Sequence, residues 1–276
     1  ELGFDSVREL PKIKQPAQVI LSGLLIMADW IASNEHYFPL LSVNEKEEVD
    51  KSRRLQDGFE RWKKTSLWQP KYISKPDSLY KERFGFEPNN VQSILSYVIT
   101  QISKPGIVVL EAPMGLGKTE ASLITAEQLA TKTGRSGLFF GLPTQATSNG
   151  IFNRIEKWVE SLKDDSEDIL SIQLVHGKAA LNEDFLKLKA NTFNFDDVEN
   201  GSVIINEWFS GRKTSALDDF VVGTVDQFLM LALKQKHLAL RHLGFSKKVV
   251  IIDEVHAYDA YMSQYLMEAI KWMGAY

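Results

Sequence analysis

Cysteine is absent from all 276 residues. That excludes disulfides and zinc–cysteine sites within this chain, and it suits a reducing compartment, so a cytoplasmic location is expected. A charge excess of one sign is also missing: 32 Lys and Arg against 36 Asp and Glu leave a net charge of −4. Any basic groove for nucleic acid must therefore be local. The longest apolar stretch near the amino end, residues 19–31, is interrupted by Ser22, Gly23 and Asp29. It reads as neither a membrane span nor a signal sequence, so no membrane partner is expected. What remains, 44% hydrophobic and 25% charged residues, is an ordinary globular composition with room for one large domain, or one domain and a fragment.

The most informative segment is Ala112-Pro113-Met114-Gly115-Leu116-Gly117-Lys118-Thr119. It follows the apolar run 107–110 and leads into a helical pattern, so it reads strand, glycine loop, helix. In a P-loop, glycines let successive N–H groups turn toward phosphates. Lys118 then reaches the β- and γ-phosphates of ATP, and Thr119 offers its hydroxyl to Mg²⁺. Ala112 stands where the strict pattern has its first glycine. A second motif supports the first. The apolar run 248–252, of the kind buried in a parallel sheet, delivers Asp253-Glu254-Val255-His256 at its carboxyl end, where open α/β sheets place their ligands. Asp253 is placed to hold Mg²⁺ and Glu254 to polarise the attacking water.

Three zones divide the chain. Residues 1–41 contain one apolar helix, from Val19 to about Asn34. Residues 42–83 are charged and aromatic, with a helix in the first half and a connecting loop in the second. From residue 84 to 276 strands and helices alternate. Strands are expected at 107–110, 137–141, 171–175, 220–222 and 248–252, and helices at 89–102, 118–132, 145–162, 226–236 and 261–272. That alternation implies a doubly wound parallel sheet of α/β class. Residues 182–215 carry no clear pattern, and a loop that long is usually functional or disordered.

Between the two ATPase motifs lie two hydroxyl clusters, each after a strand. Thr144, Gln145 and Thr147 open one helix, and Thr224 and Asp226 open another. Such groups at a helix N-terminus suit a nucleic-acid phosphate, and they equally suit plain N-capping. Ahead of the first strand, Phe84 and Phe86 precede Gln92. An amide can pair with the edge of adenine while an aromatic ring packs on it; a solvent-facing helix Gln beside core aromatics is the other reading.

The ordered series Gln92, 112–119, 143–149, 223–227 and 253–256 resembles the first motor domain of superfamily 2 helicases. With Trp208-Phe209, Thr224-Val225-Asp226-Gln227 and His256-Ala257-Tyr258-Asp259, it resembles more closely the helicase-nuclease of type I CRISPR systems. The resemblance implies a RecA-like motor over residues 84–276, a linker and accessory helix over 42–83, and the end of an HD-type nuclease domain over 1–41. It further implies ATP and Mg²⁺ as cofactors, 3′-to-5′ movement on single-stranded DNA, and the CRISPR surveillance ribonucleoprotein as partner. His256 would couple the nucleotide state to the neighbouring domain. Asp29 matches the carboxylate that closes a divalent transition-metal site, although on its chemistry alone it is as well a capping or hydrogen-bonding group. Its carboxylate is expected to face a cleft at the domain boundary, with water or the Ser33 hydroxyl as its partner.

None of the five histidines is followed by Asp, so one carboxylate alone cannot hold a two-metal centre. The expectation is of a piece of a longer protein, with a His-Asp doublet upstream and a second motor domain downstream, that by itself binds nucleotide weakly. Two other readings are a nucleotide-dependent RNA or protein clamp that changes shape without unwinding, and a docking module with Trp62 and Trp68 on its surface.

Overall fold

Phe139 and its neighbours Leu138 and Phe140 explain the architecture. All three are 1% exposed, yet successive side chains on a strand point to opposite faces, so both faces of their sheet must be covered. The computed structural model, which describes residues 12–42, 50–163, 168–176, 179, 182–193, 203–211 and 213–276, shows how. Strands β1 (Leu138–Leu142), β2 (Leu170–Val175), β3 (Val203–Ile204), β4 (Phe220–Thr224) and β5 (Val249–Ile252) form one sheet in the order β3-β2-β4-β1-β5. Every pairing is parallel, with Phe139 opposite Val221 on one side and Val250 on the other. The expected α/β class is thus present.

Leu138, Phe140 and Leu142 pack with α5 (Lys118–Thr133) and α6 (Gln145–Ser161) through Leu123, Ile155 and Trp158. Phe139 and Val221 pack on the opposite face with α8 (Asp226–Leu229), α9 (Leu238–Ser246) and α10 (Ala260–Ala275) through Phe228, Phe245 and Ala269.

Four sequence expectations are corrected. The apolar run 107–110 is not a strand. No backbone–backbone hydrogen bond joins residues 103–116 to the sheet, and Ile107 and Val109 are 71% and 76% exposed. An apolar run signals burial only when a ladder partner is present, and here β5 forms the sheet edge. The expected helix 226–236 stops at Leu229, turns through a 3-10 segment Met230–Ala232, and is followed by the unexpected α9. Within 182–215 lie α7 (Glu183–Phe193), β3 and 3-10 turns at Glu207–Ser210 and Ser215–Leu217; the acidic run at 194–200 lies outside the described residues.

The fourth correction concerns 42–83. Beyond α2 (Lys51–Trp62) the chain is no free connection. Trp68 is 6% exposed, against Trp158 and Phe220, so it is core and not a docking surface. Trp62 is half-buried, edge-on to Trp208. A further helix, α3 (Ser78–Phe84), ends at Gly85 in the left-handed region, φ 77°. Its Arg83 grips Glu127 of α5 through two bonds, 3.1 and 2.6 Å, and donates to the Ser161 carbonyl of α6 at 2.6 Å. A paired guanidinium this well satisfied is rigid rather than merely charged.

The amino-terminal helix α1 (Gln15–Ala32) starts four residues earlier than expected, with Pro16 in its first turn. It lies on α9 so closely that a Cβ on Gly23 would stand 2.4 Å from the Ala239 carbonyl oxygen. By length and mean hydropathy of 1.2 it is apolar enough to cross a membrane, but such a helix packed on a domain is also what a helix bundle needs.

Candidate nucleotide-binding site

The glycine loop is shaped by two left-handed glycines, Gly115 at φ 81° and Gly117 at φ 68°, conformations that cost other residues about 1–2 kcal/mol. Gly117 is the N-cap of α5, so the loop turns directly into a helix N-terminus at Lys118. The Lys118 ammonium donates to the Ala112 carbonyl at 3.0 Å. Pro113 and Met114 are exposed at the loop tip, and Thr119 is half-buried in the first turn. These features fit an anion: a helix N-terminus, an ammonium on a long stem and a backbone opened by glycine.

The loop is held by α4 (Asn90–Gln101) and its cap. Asn89 Nδ2 donates to the Leu116 carbonyl and Gln92 Nε2 to the Gly117 carbonyl, each at 3.2 Å. Gln92 Oε1 in turn accepts the Asn89 N–H at 3.0 Å, completing a capping box. Gln92 is 2% exposed, so its amide here braces the loop and is not free for a base edge. Phe84 and Phe86 stack on each other at 5.8 Å, with both rings against Tyr80. Glu120, next after Thr119, pairs with Arg154 of α6.

The acidic corner grows from the sheet itself. The Asp253 N–H donates to the Gly141 carbonyl at 2.9 Å, extending the β1–β5 ladder by one bond. Asp253 Oδ1 accepts the Glu254 N–H at 2.9 Å. Glu254 has φ 55°, a left-handed backbone whose cost at a non-glycine residue is usually borne at functional sites. Its carboxylate meets His256 Nε2 at 3.2 Å, and the His256 side chain is 80% exposed. Tyr258 donates to the Asp253 carbonyl at 3.2 Å. Burial raises the Tyr258 hydroxyl pKa, and the charges of Asp253, Asp226 and Glu254 raise it further. The hydroxyl therefore stays a donor to that carbonyl. Helix α5, which begins at the glycine loop, packs on β5, which ends at this corner.

The two hydroxyl clusters differ. Thr144 is the N-cap of α6: its hydroxyl accepts the Thr147 N–H at 3.2 Å and lies 3.0 Å from the Thr147 hydroxyl. Thr144, Gln145 and Thr147 are all exposed at the end of β1. Asp226 is exposed and does not cap α8, whose N-cap is Val225 without a side-chain bond. Thr224, opposite Leu142 in the sheet, is 6% exposed. Three supporting groups lie beside the candidate site residues. Asn89 caps the helix that holds Gln92. Arg241 of α9 donates to both the carbonyl and the side chain of Gln227, at 2.9 and 3.2 Å. Asn149 Oδ1 bonds His176 Nε2 at 2.8 Å and Asn182 Nδ2 at 3.1 Å. Only Asn149 carries a signal in the sequence, as the last residue of the 143–149 run.

Asp29 is exposed on α1, and among the described residues no group of three His, Cys, Asp or Glu could hold a metal ion. The Ser33 contact is from its backbone N–H to the Asp29 carbonyl, 2.9 Å, not from its hydroxyl. A nuclease metal therefore does not fit the described residues.

Comparison with known proteins agrees with this geometry. The Cas3 HD domain profile matches residues 1–38 and the DEAD/DEAH box helicase profile matches residues 92–273. The CRISPR-associated nuclease/helicase Cas3 of Streptococcus thermophilus is 72% identical over 277 residues, covering 100% of this chain and 30% of that protein. The crystal structure of T. fusca Cas3 with ADP superposes with a TM-score of 0.77 at 29% identity, over 96% of this chain and 29% of that one. A chain of a CRISPR RNA-guided surveillance complex in a pre-nicking state matches with a TM-score of 0.57 at 28% identity, over 95% of this chain and 24% of that one. The chain thus spans about 30% of the length of its curated relative. Matched over well more than half of its residues, it belongs to the DEAD/DEAH box helicase family, and the Cas3 protein of Streptococcus thermophilus is similar to it along its whole length.

Proposed function

We propose that this chain is the nucleotide-binding part of an ATP-driven translocase and helicase that moves on single-stranded DNA. In the intact protein it would be joined to a metal-dependent DNA nuclease and act in the cytoplasm in CRISPR interference, beside the surveillance ribonucleoprotein. Residues 1–41 end the nuclease domain and 84–276 form the first motor domain, with the segment 42–83 between them packed onto the motor through Trp68 and Arg83. The observation that carries the reading is the pairing of a braced, left-handed glycine loop with the Asp253-Glu254 corner on the adjoining elements. The similarity to Cas3 bound to ADP and to a chain of a surveillance complex supports it.

Bound Mg²⁺–ATP would supply the scissile phosphoanhydride and the charge that the site must balance. Lys118 then exchanges the Ala112 carbonyl for phosphate oxygens, a charge-assisted bond to an anion in place of one to a neutral carbonyl. Thr119 and Asp253 are the two groups placed to hold Mg²⁺. Glu254 orients the attacking water and must loosen its contact with His256 to do so. His256 thereby links the catalytic carboxylate to whatever packs on its exposed face. Thr144, Gln145, Thr147, Thr224 and Asp226 line the carboxyl ends of β1 and β4, on the side suited to a strand backbone.

The test is Lys118→Ala in the intact protein. DNA-stimulated ATP turnover is expected to fall by roughly 10²–10³-fold, the scale for losing one charge-stabilising group. Turnover that survives the change rules the motor reading out.

A further inference from the structure

The turn Thr224-Val225-Asp226-Gln227, one of the two candidate strand contacts, is held on two sides. The Val225 N–H donates to the Leu142 carbonyl at 2.8 Å, so the turn hangs from the end of β1, beside the run 143–149. Two residues on, Arg241 Nη1 donates to the Gln227 carbonyl at 2.9 Å and to Gln227 Oε1 at 3.2 Å. Both acceptors belong to one residue, so the guanidinium fixes its backbone and its side chain together. Asp226 lies exposed between these supports.

Stability alone does not account for an arginine in this place. Burial lowers the Arg241 pKa to about 10, which leaves the group charged at neutral pH. Both of its acceptors are neutral, and among the described residues no carboxylate lies within ion-pair distance of it. Withdrawing a charge from water without an opposite charge costs free energy that an apolar side chain of similar length would not cost.

The helix that carries Arg241 is itself pinned. A Cβ on Gly23 of α1 would stand 2.4 Å from the Ala239 carbonyl oxygen and 2.9 Å from Leu243 Cβ. His237, the N-cap of α9, has φ 60° and meets the Trp30 ring of α1 edge-on at 5.3 Å. Such a backbone at a non-glycine residue persists only where its surroundings hold it. The His237 carbonyl accepts the Arg241 N–H at 3.4 Å, so this strained residue sets where the arginine stem begins. Phe228, the residue after Gln227, packs on Phe245 of α9 at 5.5 Å, a second attachment between turn and helix.

We propose that Arg241 is a positioning residue for the strand-contacting turn: through Gln227 it holds residues 224–227 in the shape that meets single-stranded DNA, and so sets how readily DNA stimulates ATP turnover. This rests on the motor reading above. The hydrogen bonds of Arg241 go to neither the glycine loop nor the Asp253 corner, so its effect is confined to the response to DNA.

The experiment measures ATP turnover of the intact protein against oligothymidylate concentration, for wild type and for Arg241→Met. Methionine fills the space of the arginine stem without a charge to bury, so the midpoint of unfolding by denaturant should be unchanged or higher. The oligothymidylate concentration for half-maximal stimulation is expected to rise about tenfold, the scale for losing hydrogen bonds from a charged donor. The KM for ATP and the turnover without DNA should be unchanged. Gln227→Ala alone should give a smaller rise, and adding it to Arg241→Met should give no further one. An unchanged half-maximal concentration in Arg241→Met overturns the proposal and leaves the motor intact. So does a parallel loss of ATP affinity, DNA-free turnover and unfolding midpoint, which would make the arginine merely structural. Rises that multiply in the double variant overturn it too, because the two residues would then act independently. A wild type whose turnover does not respond to oligothymidylate overturns the motor reading, and this role with it.

Discussion

The Asp253 corner and the Lys118 loop serve one candidate site, yet they are held by different kinds of bond. Asp253 inherits its position from the sheet, because its N–H continues the β1–β5 ladder onto Gly141. Behind it stand β1 and β4, buried along their whole length. The glycine loop has no such anchor. From residue 103 to 116 no backbone–backbone bond reaches the sheet, and the loop is fixed by the side chains of Asn89 and Gln92 on its Leu116 and Gly117 carbonyls. One half of the site is therefore tied to the sheet by its backbone, and the other half depends on two amides at the start of α4. Substitutions should separate them.

The largest effect is expected at the sheet. Trp68→Ala removes a ring buried against Trp158 and Phe220 of β4, and unfolding by denaturant should show a loss of about 3–5 kcal/mol. A change within about 0.5 kcal/mol would mean that residues 63–77 are a detachable connection after all.

A pH dependence should come from the opposite face of the sheet. His242 of α9 is 1% exposed. Burial lowers its pKa to about 4, the neighbouring Arg241 charge adds to the lowering, and a backbone hydrogen bond partly opposes it. Its Nδ1 lies 2.6 Å from the Tyr276 hydroxyl, and its ring meets Trp272 edge-on at 4.6 Å. Because the folded chain resists the proton, the unfolded chain binds more protons between about pH 6.5 and 4. Stability is complete above that window and is lost as pH falls through it, by about 3 kcal/mol. Measured unfolding free energies should show that slope, and His242→Phe should flatten it.

Gln92→Ala should spare the sheet and weaken the loop. It leaves the Asn89 N–H and the Gly117 carbonyl without their partner, a loss of about 1–2 kcal/mol in stability. ATP affinity, read by titration calorimetry on the intact protein, should fall by about tenfold, the same free-energy scale. Stability lost without any change in affinity would show that the loop keeps its shape without α4.

This difference also marks what can be read from sequence. Glycine, lysine and threonine at fixed spacing, or an acidic pair after an apolar run, carry their chemistry locally, so both motifs are legible. So is the alternation that leads to a parallel sheet. What escapes depends on partners far apart in the chain. Residues 107–110 have the composition of a strand and no ladder to join. Trp68 sits among charged residues and proline, yet fills the core beside Phe220. Helix α9 follows a break at His237, a non-glycine residue at φ 60°, and Gly244 in it lets the helix touch Ala216, where a Cβ would stand 2.0 Å from the carbonyl oxygen. Periodicity carries no trace of such close approach. The amide of Gln92 has the chemistry to read a base edge, but its capping box with Asn89 turns that amide inward.

The division of labour between loop and corner is tested most directly by Glu254→Gln in the intact protein, with ATP affinity and DNA-stimulated turnover measured on the same preparation. The substitution keeps the shape of the corner and removes the carboxylate that meets His256. The expected result is ATP bound about as tightly as in wild type, through Lys118 and the braced loop, with turnover reduced by roughly 10²-fold or more. Turnover at the wild-type rate would contradict the assignment of Glu254 as the group that activates water.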